Sequence, residues 1–180
     1  FDVDYRQYWK LKFDNSLVFR IVGGIALPYG NSNAIPFEKS FWLGGANDMR
    51  GWRLRSLGPG GYASNDENYD KTGDILIQTS IEQRFPIYSF LLGSLFIDAG
   101  NVWLRGKSED FPNGEFKLNS FYKQIAIDMG IGFRFDFSFF IFRIDAAVPF
   151  YNPAVDDKWF NSDDFRLRKA IWNFGIGYPF

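Results

Sequence analysis

The stretch that decides the fold runs Gln124, Ile125, Ala126, Ile127, Asp128, Met129, Gly130, Ile131, Gly132, Phe133, Arg134, Phe135, Asp136, Phe137. Every odd position is large and apolar, and every even position is polar, charged or small. Successive side chains of a strand point to opposite faces, so this is one strand with two unlike sides. The period of two recurs outward from it. Ile75, Ile77, Ile81 and Phe85 oppose Gln78, Ser80, Glu82 and Arg84, and Phe142, Ile144, Ala146 and Val148 oppose Arg143, Asp145 and Ala147. Leu17, Phe19, Ile21, Ile25 and Leu27 oppose Val18, Arg20, Val22, Gly24 and Ala26. Near the start, Trp9, Leu11 and Phe13 oppose Tyr8, Lys10 and Lys12. At the end, Trp172, Phe174, Ile176, Tyr178 and Phe180 oppose Asn173, Gly175, Gly177 and Pro179.

Two environments produce such strands. In a soluble sandwich the apolar face is the core, whereas in a transmembrane barrel it meets lipid and the polar face lines the interior. Three features favour the barrel. The strands run to about 10–14 residues, against a mode of about 5–6 in soluble sheets. The polar face is rich in glycine and paired charges. The connections alternate: short at Asp14-Asn15, Pro86 to Ser89 and Phe137-Ser138, long at Gly30 to Gly73, Arg105 to Tyr122 and Tyr151 to Arg168. Short turns on one side and long loops on the other are the outer-membrane arrangement. The fold expected is therefore all-β: a transmembrane antiparallel β-barrel, with roughly seven strands between about Tyr5 and Phe180. An open sheet edge in lipid is costly, and bacterial single-chain barrels have even strand counts. Residues 1–180 are thus expected to be the C-terminal part of a larger barrel domain.

Composition removes several function classes. Lys+Arg 20 against Asp+Glu 21 gives a net charge of −1, so the basic excess of a nucleic-acid binder is missing. Cysteine and histidine are absent, which excludes disulfides, thiolate nucleophiles, histidine-based triads and zinc sites built on those ligands. The uncharged runs Phe85 to Ile97 and Ile21 to Phe37 are broken by proline and glycine and fall short of a spanning helix, which needs about 20 apolar residues. The opening Phe1-Asp2-Val3-Asp4-Tyr5-Arg6 is no signal peptide, as expected if one has been removed or the chain is part of a longer one. No nucleophile stands beside a base, and Gly58-Pro59-Gly60-Gly61 lacks the lysine of a phosphate loop. Neither an enzyme nor a cofactor is expected. Asp156-Asp157 and Asp163-Asp164 read as solvated loop acids.

The connection from Gly30 to Gly73 is too long for a passive link. Its centre is Phe41-Trp42-Leu43-Gly44-Gly45-Ala46-Asn47-Asp48-Met49-Arg50-Gly51-Trp52. Such aromatic density suits a loop folded back into the barrel, burying Arg50. A buried guanidinium requires carboxylates, and the inward faces of the strands offer Glu82 and Asp98. Its planar fork can hold two of them.

These residues resemble the BamA/TamA family of outer-membrane assembly proteins. Met49-Arg50-Gly51-Trp52 is similar to the family's Arg-Gly-aromatic loop tip, with Met and Trp where Val or Ile and Phe or Tyr are more usual. Phe96-Ile97-Asp98-Ala99-Gly100 resembles its Phe-x-Asp-x-Gly strand motif, continued by Asn101-Val102-Trp103. Ile81-Glu82-Gln83-Arg84-Phe85 resembles the strand that supplies the other carboxylate. Gly132 to Asp136, and Arg143 to Asp145 followed by Pro149, resemble the penultimate hairpin. Asn173-Phe174-Gly175-Ile176-Gly177-Tyr178-Pro179-Phe180 fits the β-signal that ends outer-membrane barrels. The resemblance spans essentially the whole chain and implies the last seven strands of a sixteen-stranded barrel.

It also implies a function: insertion of other outer-membrane proteins through a lateral gate at the last strand, Arg168 to Phe180. Asn173, Gly175, Tyr178 and Phe180 would form that gate, weakened by Gly175, Gly177 and Pro179. The Arg50 loop would brace the interior. The implied partners are outer-membrane lipid, client outer-membrane proteins, periplasmic or lipoprotein accessory subunits and the remainder of the same barrel, with no nucleic acid. The implied location is the outer membrane of a Gram-negative bacterium, as an integral multi-strand protein.

Blander readings stand beside these. Arg50 could be a surface residue, and Asp128, Arg134, Asp136, Arg143 and Asp145 could be a charge ladder that only stabilises the wall. Gly130, Gly132, Gly175 and Gly177 could serve curvature or weaken the closing strand. The phenylalanines at 133, 135, 137, 139, 140 and 142 read as an interfacial girdle. Alternatives to the insertase are a secretion pore for one dedicated partner, a passive porin or structural barrel, and a barrel fused to a periplasmic lipase-like domain.

Overall fold

The computed structural model describes residues 1–31, 35–63, 70–155, 158–159 and 170–180. Their strands are β1 (Asp2–Lys10), β2 (Ser16–Ile25), β3 (Ile75–Tyr88), β4 (Leu91–Trp103), β5 (Ala126–Asp136), β6 (Ile141–Tyr151) and β7 (Ile171–Ile176). They form one seven-stranded sheet in chain order, each strand antiparallel to the next. Alternation fixes the register, because a slip of one residue would turn every side chain to the wrong face. The tight turns help. Phe13 and Asp14 are both left-handed, at φ 58 and 55, between β1 and β2, and Ser138 is at φ 70 between β5 and β6. Such dihedrals match the twist of the flanking strands.

The register lays side chains in rows across the wall. One outer row runs Leu17, Gln83, Leu95, Ile131, Ala146, Trp172. Ile131 is 49% exposed and Ile97 51%, and among the described residues no second layer covers them. A predominantly apolar face, with Gln83 its polar member in this row, is the face that hydrocarbon covers. Phe137, Phe139 and Phe140 cluster, exposed, at the turn between β5 and β6, and Phe133 is exposed on β5, the strand that leads into that turn.

The dry core lies on the other side. There the loop places Leu43, Met49, Trp52 and Leu57 against Val22, Leu76, Val102 and Ala126 of the wall. The loop thus supplies the apolar packing that a soluble sheet would take from a second layer.

Several boundaries differ from the sequence expectation. β1 begins at Asp2 rather than Tyr5 and ends at Lys10, so Leu11 and Phe13 lie in the turn. β3 continues through Pro86 to Tyr88, with a register shift there. The closing strand ends at Ile176, not Phe180. Gly177, at φ +82, turns the chain out of the ladder. Tyr178 and Phe180 therefore leave the outward face that alternation assigned them. The Arg84 guanidinium lies 4.2 Å from the Tyr178 ring centroid and donates to the Phe180 carbonyl at 3.2 Å, and Phe180 is buried. Pro179 lies past the ladder, so it removes no strand hydrogen bond. Arg168, Asp156-Asp157 and Asp163-Asp164 lie outside the described residues.

Candidate functional site

The loop tip is a compact turn. The Gly45 amide donates to the Trp52 carbonyl at 2.9 Å, and the Trp52 amide to the Met49 carbonyl at 3.1 Å. At Gly44, φ +108, a side chain would collide with the Arg53 carbonyl, so only glycine permits the chain to double back here. Met49 and Trp52 point into the apolar core, which leaves Arg50 and the tip's backbone facing the polar side of the wall.

Each strand from β2 to β7 places a polar side chain on this tip. Arg20 of β2 donates to the Asn47 carbonyl at 3.0 Å and to Asp48 Oδ1 at 3.3 Å. Glu82 of β3 accepts from Arg50 Nη1 at 2.6 Å. Asp98 of β4 accepts from Arg50 Nε at 2.8 Å and Nη2 at 3.0 Å, a two-pronged pair. Asp128 of β5 accepts from the Gly51 amide at 2.9 Å. Arg143 of β6 donates to the Ala46 carbonyl at 3.0 Å and to Asn47 Oδ1. Asn173 of β7 donates to the Arg50 carbonyl at 2.9 Å. β1 contributes indirectly, through Asp4 paired with Arg20 at 3.0 Å.

Glycines decide how closely these parts approach. A side chain at Gly51 would meet the Asp128 Cβ at 2.5 Å, so the residue after Arg50 must lack one. Phe96 lies under Arg50, with the guanidinium carbon 3.3 Å from its ring centroid, a cation–π contact. That ring occupies the space left by Gly130. Gly132 leaves room for the Arg134–Asp145 ion pair, and Gly175 for the Arg143 guanidinium. Gly100 lets β3 and β4 close up, since a Cβ there would lie 2.6 Å from the Ile77 carbonyl. These inner-face glycines are berths for larger side chains, a role more specific than curvature.

The charges interlock. Glu82 also holds Arg84 at 2.7 Å and Arg134 at 3.2 Å, and Asp145 lies 3.7 Å from both Arg50 and Arg143. Arg50, Glu82, Asp98, Asp128, Arg134 and Asp145 are completely buried. Burial opposes the Arg50 charge, yet Asp98, Glu82 and Asp145 more than offset it and hold its pKa above the ordinary value. Asp136, read as part of the ladder, instead accepts from the Ser138 amide at 2.8 Å and closes the β5–β6 turn. Among the described residues no acidic cluster is arranged to hold a metal ion. The arrangement fastens the loop tip to the wall through ion pairs and hydrogen bonds.

The chain's whole length, residues 1–180, matches the Omp85 superfamily domain. The chain belongs to the Omp85 superfamily. An outer-membrane location follows from that membership, and this Omp85 chain is 32% identical over 117 residues to the outer membrane protein assembly factor BamA of Neisseria meningitidis serogroup B. The match takes in 61% of the chain and 15% of that protein. The crystal structure of BamA from Haemophilus ducreyi lacking POTRA domains 1-3 superposes with a TM-score of 0.67 at 18% identity, over 97% of this chain and 33% of that one. The two share the fold, and an open seven-stranded sheet suits part of such a barrel. This Omp85 chain spans a minor fraction of either relative.

Sequence reasoning brought Arg50, Glu82 and Asp98 together but left Arg20, Asp128, Arg143 and Asn173 without a part in the tip. Their inward parity was readable; that they converge on one turn required the register. Phe96 was singled out as motif, and its place beneath Arg50 shows what the motif does.

Proposed function

We propose that this Omp85 chain is the C-terminal part of an integral outer-membrane barrel of a Gram-negative bacterium that inserts other outer-membrane proteins, with β7 as the movable wall. The observation that carries the reading is the disparity of the strands around the loop. β3 and β4 have 14 and 13 residues, whereas β7 has six and ends in an inward bend. A short closing strand has few ladder bonds to give up, so it can release and template an incoming strand through main-chain hydrogen bonds. The loop would hold the remaining wall in shape while β7 moves. Membership of the superfamily and the similarity to an assembly factor support this reading. An interior filled by a loop favours it over a passive porin. Client outer-membrane proteins, lipid, accessory subunits and the first strands of the same barrel are the partners it calls for.

The test is reconstitution of the full-length protein in lipid vesicles with an unfolded barrel client, following client folding by gel mobility. Accelerated folding that is lost when β7 is tethered by a disulfide to the barrel's first strand is the expected result. Export of a soluble partner without any acceleration would favour the secretion pore.

A further inference from the structure

The six side chains that hold the loop tip are not alike. Arg20, Glu82, Asp98, Asp128 and Arg143 are ionisable and engage the tip as charge-assisted hydrogen bonds or ion pairs. Asn173 is neutral, and it grips a backbone carbonyl, also neutral, at 2.9 Å. Parting a buried ion pair strands an uncompensated charge, whereas parting two neutral groups does not. Asn173 is also β7's one polar inward side chain. Of its inner-face neighbours, Ile171 is apolar and Gly175 has no side chain. Asn173 stands opposite Asp145 in the register, one row from the Arg143 that grips the same tip.

We propose that Asn173 is a positioning residue, the release point of the fastening: its carboxamide latches the closing strand to the Arg50 carbonyl and can part without stranding a charge. The wall from β2 to β6 then stays on the loop when β7 detaches. The inference rests on the reading of β7 as a moving wall, and it adds which atom pair must open first. It also accounts for an amide at this position: a cationic side chain would fix the strand too firmly, a carboxylate could not donate to the Arg50 carbonyl, and an apolar side chain would leave that carbonyl unsatisfied.

The test is hydrogen exchange by mass spectrometry on the full-length protein in lipid nanodiscs, read at the amides of Ile171–Ile176 with those of Ile75–Tyr88 as internal reference. Asn173→Ala and Asn173→Val should each speed β7 exchange about tenfold and leave β3 unchanged. Valine suits a strand better than alanine, so an increase confined to Asn173→Ala would indicate lost packing and overturn the latch. In the Arg50→Ala background the tip is already dislodged, so adding Asn173→Ala should produce no further increase. Additive effects, an equal rise in β3, or no rise at all would each overturn the proposal. Exchange is measured without a client, so the latch stands or falls separately from insertion.

Discussion

The β3–β4 hairpin and the β6–β7 hairpin face the same loop and hold it by different chemistry. The first is long and regular, its inner face carries Glu82 and Asp98, and both carboxylates close on Arg50. The second ends in a six-residue strand and touches the loop through Arg143, on the Ala46 carbonyl and Asn47 Oδ1, and through Asn173, on the Arg50 carbonyl. Coulomb attraction in a buried site makes the first contact hard to break from one side, because each partner left behind is a bare charge. Of the second hairpin's contacts, the Asn173 bond is close to an exchange between equivalent neutral hydrogen bonds, and it is the one that β7 makes. One loop can therefore belong permanently to one wall and conditionally to the other. The proposed opening at one seam calls for that asymmetry.

Removing Arg50 should break the comparison outright. Arg50→Ala leaves Glu82 and Asp98 facing each other's charge in a site closed to water and removes the group stacked on Phe96. A loss of about 3–5 kcal/mol is expected, the scale for stripping one partner from a buried ion pair. Urea unfolding of the full-length protein, followed by its gel mobility, measures this. Arg50→Lys should recover only part of the loss, since an ammonium cannot span both prongs of Asp98 and also reach Glu82. Equal stability of Arg50→Ala and wild type would remove the distinction between the two hairpins.

A smaller effect is expected beneath the arginine. In Gly130→Ala the new methyl would press on the Phe96 ring and on the Ala146 carbonyl, neither of which can move far in a paired sheet. Overpacking of this kind costs about 1–3 kcal/mol. Lifting Phe96 should also shift the Arg50 guanidinium, so the Nε proton resonance of Arg50 should move in nuclear magnetic resonance spectra. An unshifted resonance with wild-type stability would mean that Phe96 is not the platform.

The wall was legible because its information is local. Alternation from Gln124 to Phe137 shows two faces, and the turn residues near Asp14 and Ser138 show where the chain reverses. Arg50, Glu82 and Asp98 were legible for a different reason: a buried arginine requires acids on the inward face, and these two lie in stretches that resemble the family's strand motifs. The bend at Gly177 was not legible. Strand alternation runs unbroken through Tyr178 and Phe180, whereas the left-handed Gly177 and the contacts with Arg84 show that the chain has left the sheet. Nor could the sequence disclose that Arg20, Asp128 and Arg143 meet at one turn. That depends on the register summed across several strand pairs, each set by side chains far apart in the chain.

Gly175 gives the finest test of the comparison, because it berths a side chain of the weak wall, whereas Gly130, on β5, berths Phe96 of the strong one. A Cβ at Gly175 would meet Arg143 Nε at 2.6 Å and Nη2 at 2.9 Å, but those atoms are the free end of a long side chain. Arg143 can swing aside where Phe96 cannot. Alanine also lowers the entropy of the unfolded strand relative to glycine, which offsets part of the strain. Gly175→Ala should therefore change stability by less than about 1 kcal/mol in urea unfolding. Its consequence should appear instead in the loop, since displacing Arg143 loosens its hold on Ala46 and Asn47. Faster hydrogen exchange at residues 46–48 with near-wild-type stability is the expected pair of results. A loss as large as that of Gly130→Ala would show that the closing hairpin is as rigidly packed as the β3–β4 wall, and the asymmetry would then lie in strand length alone.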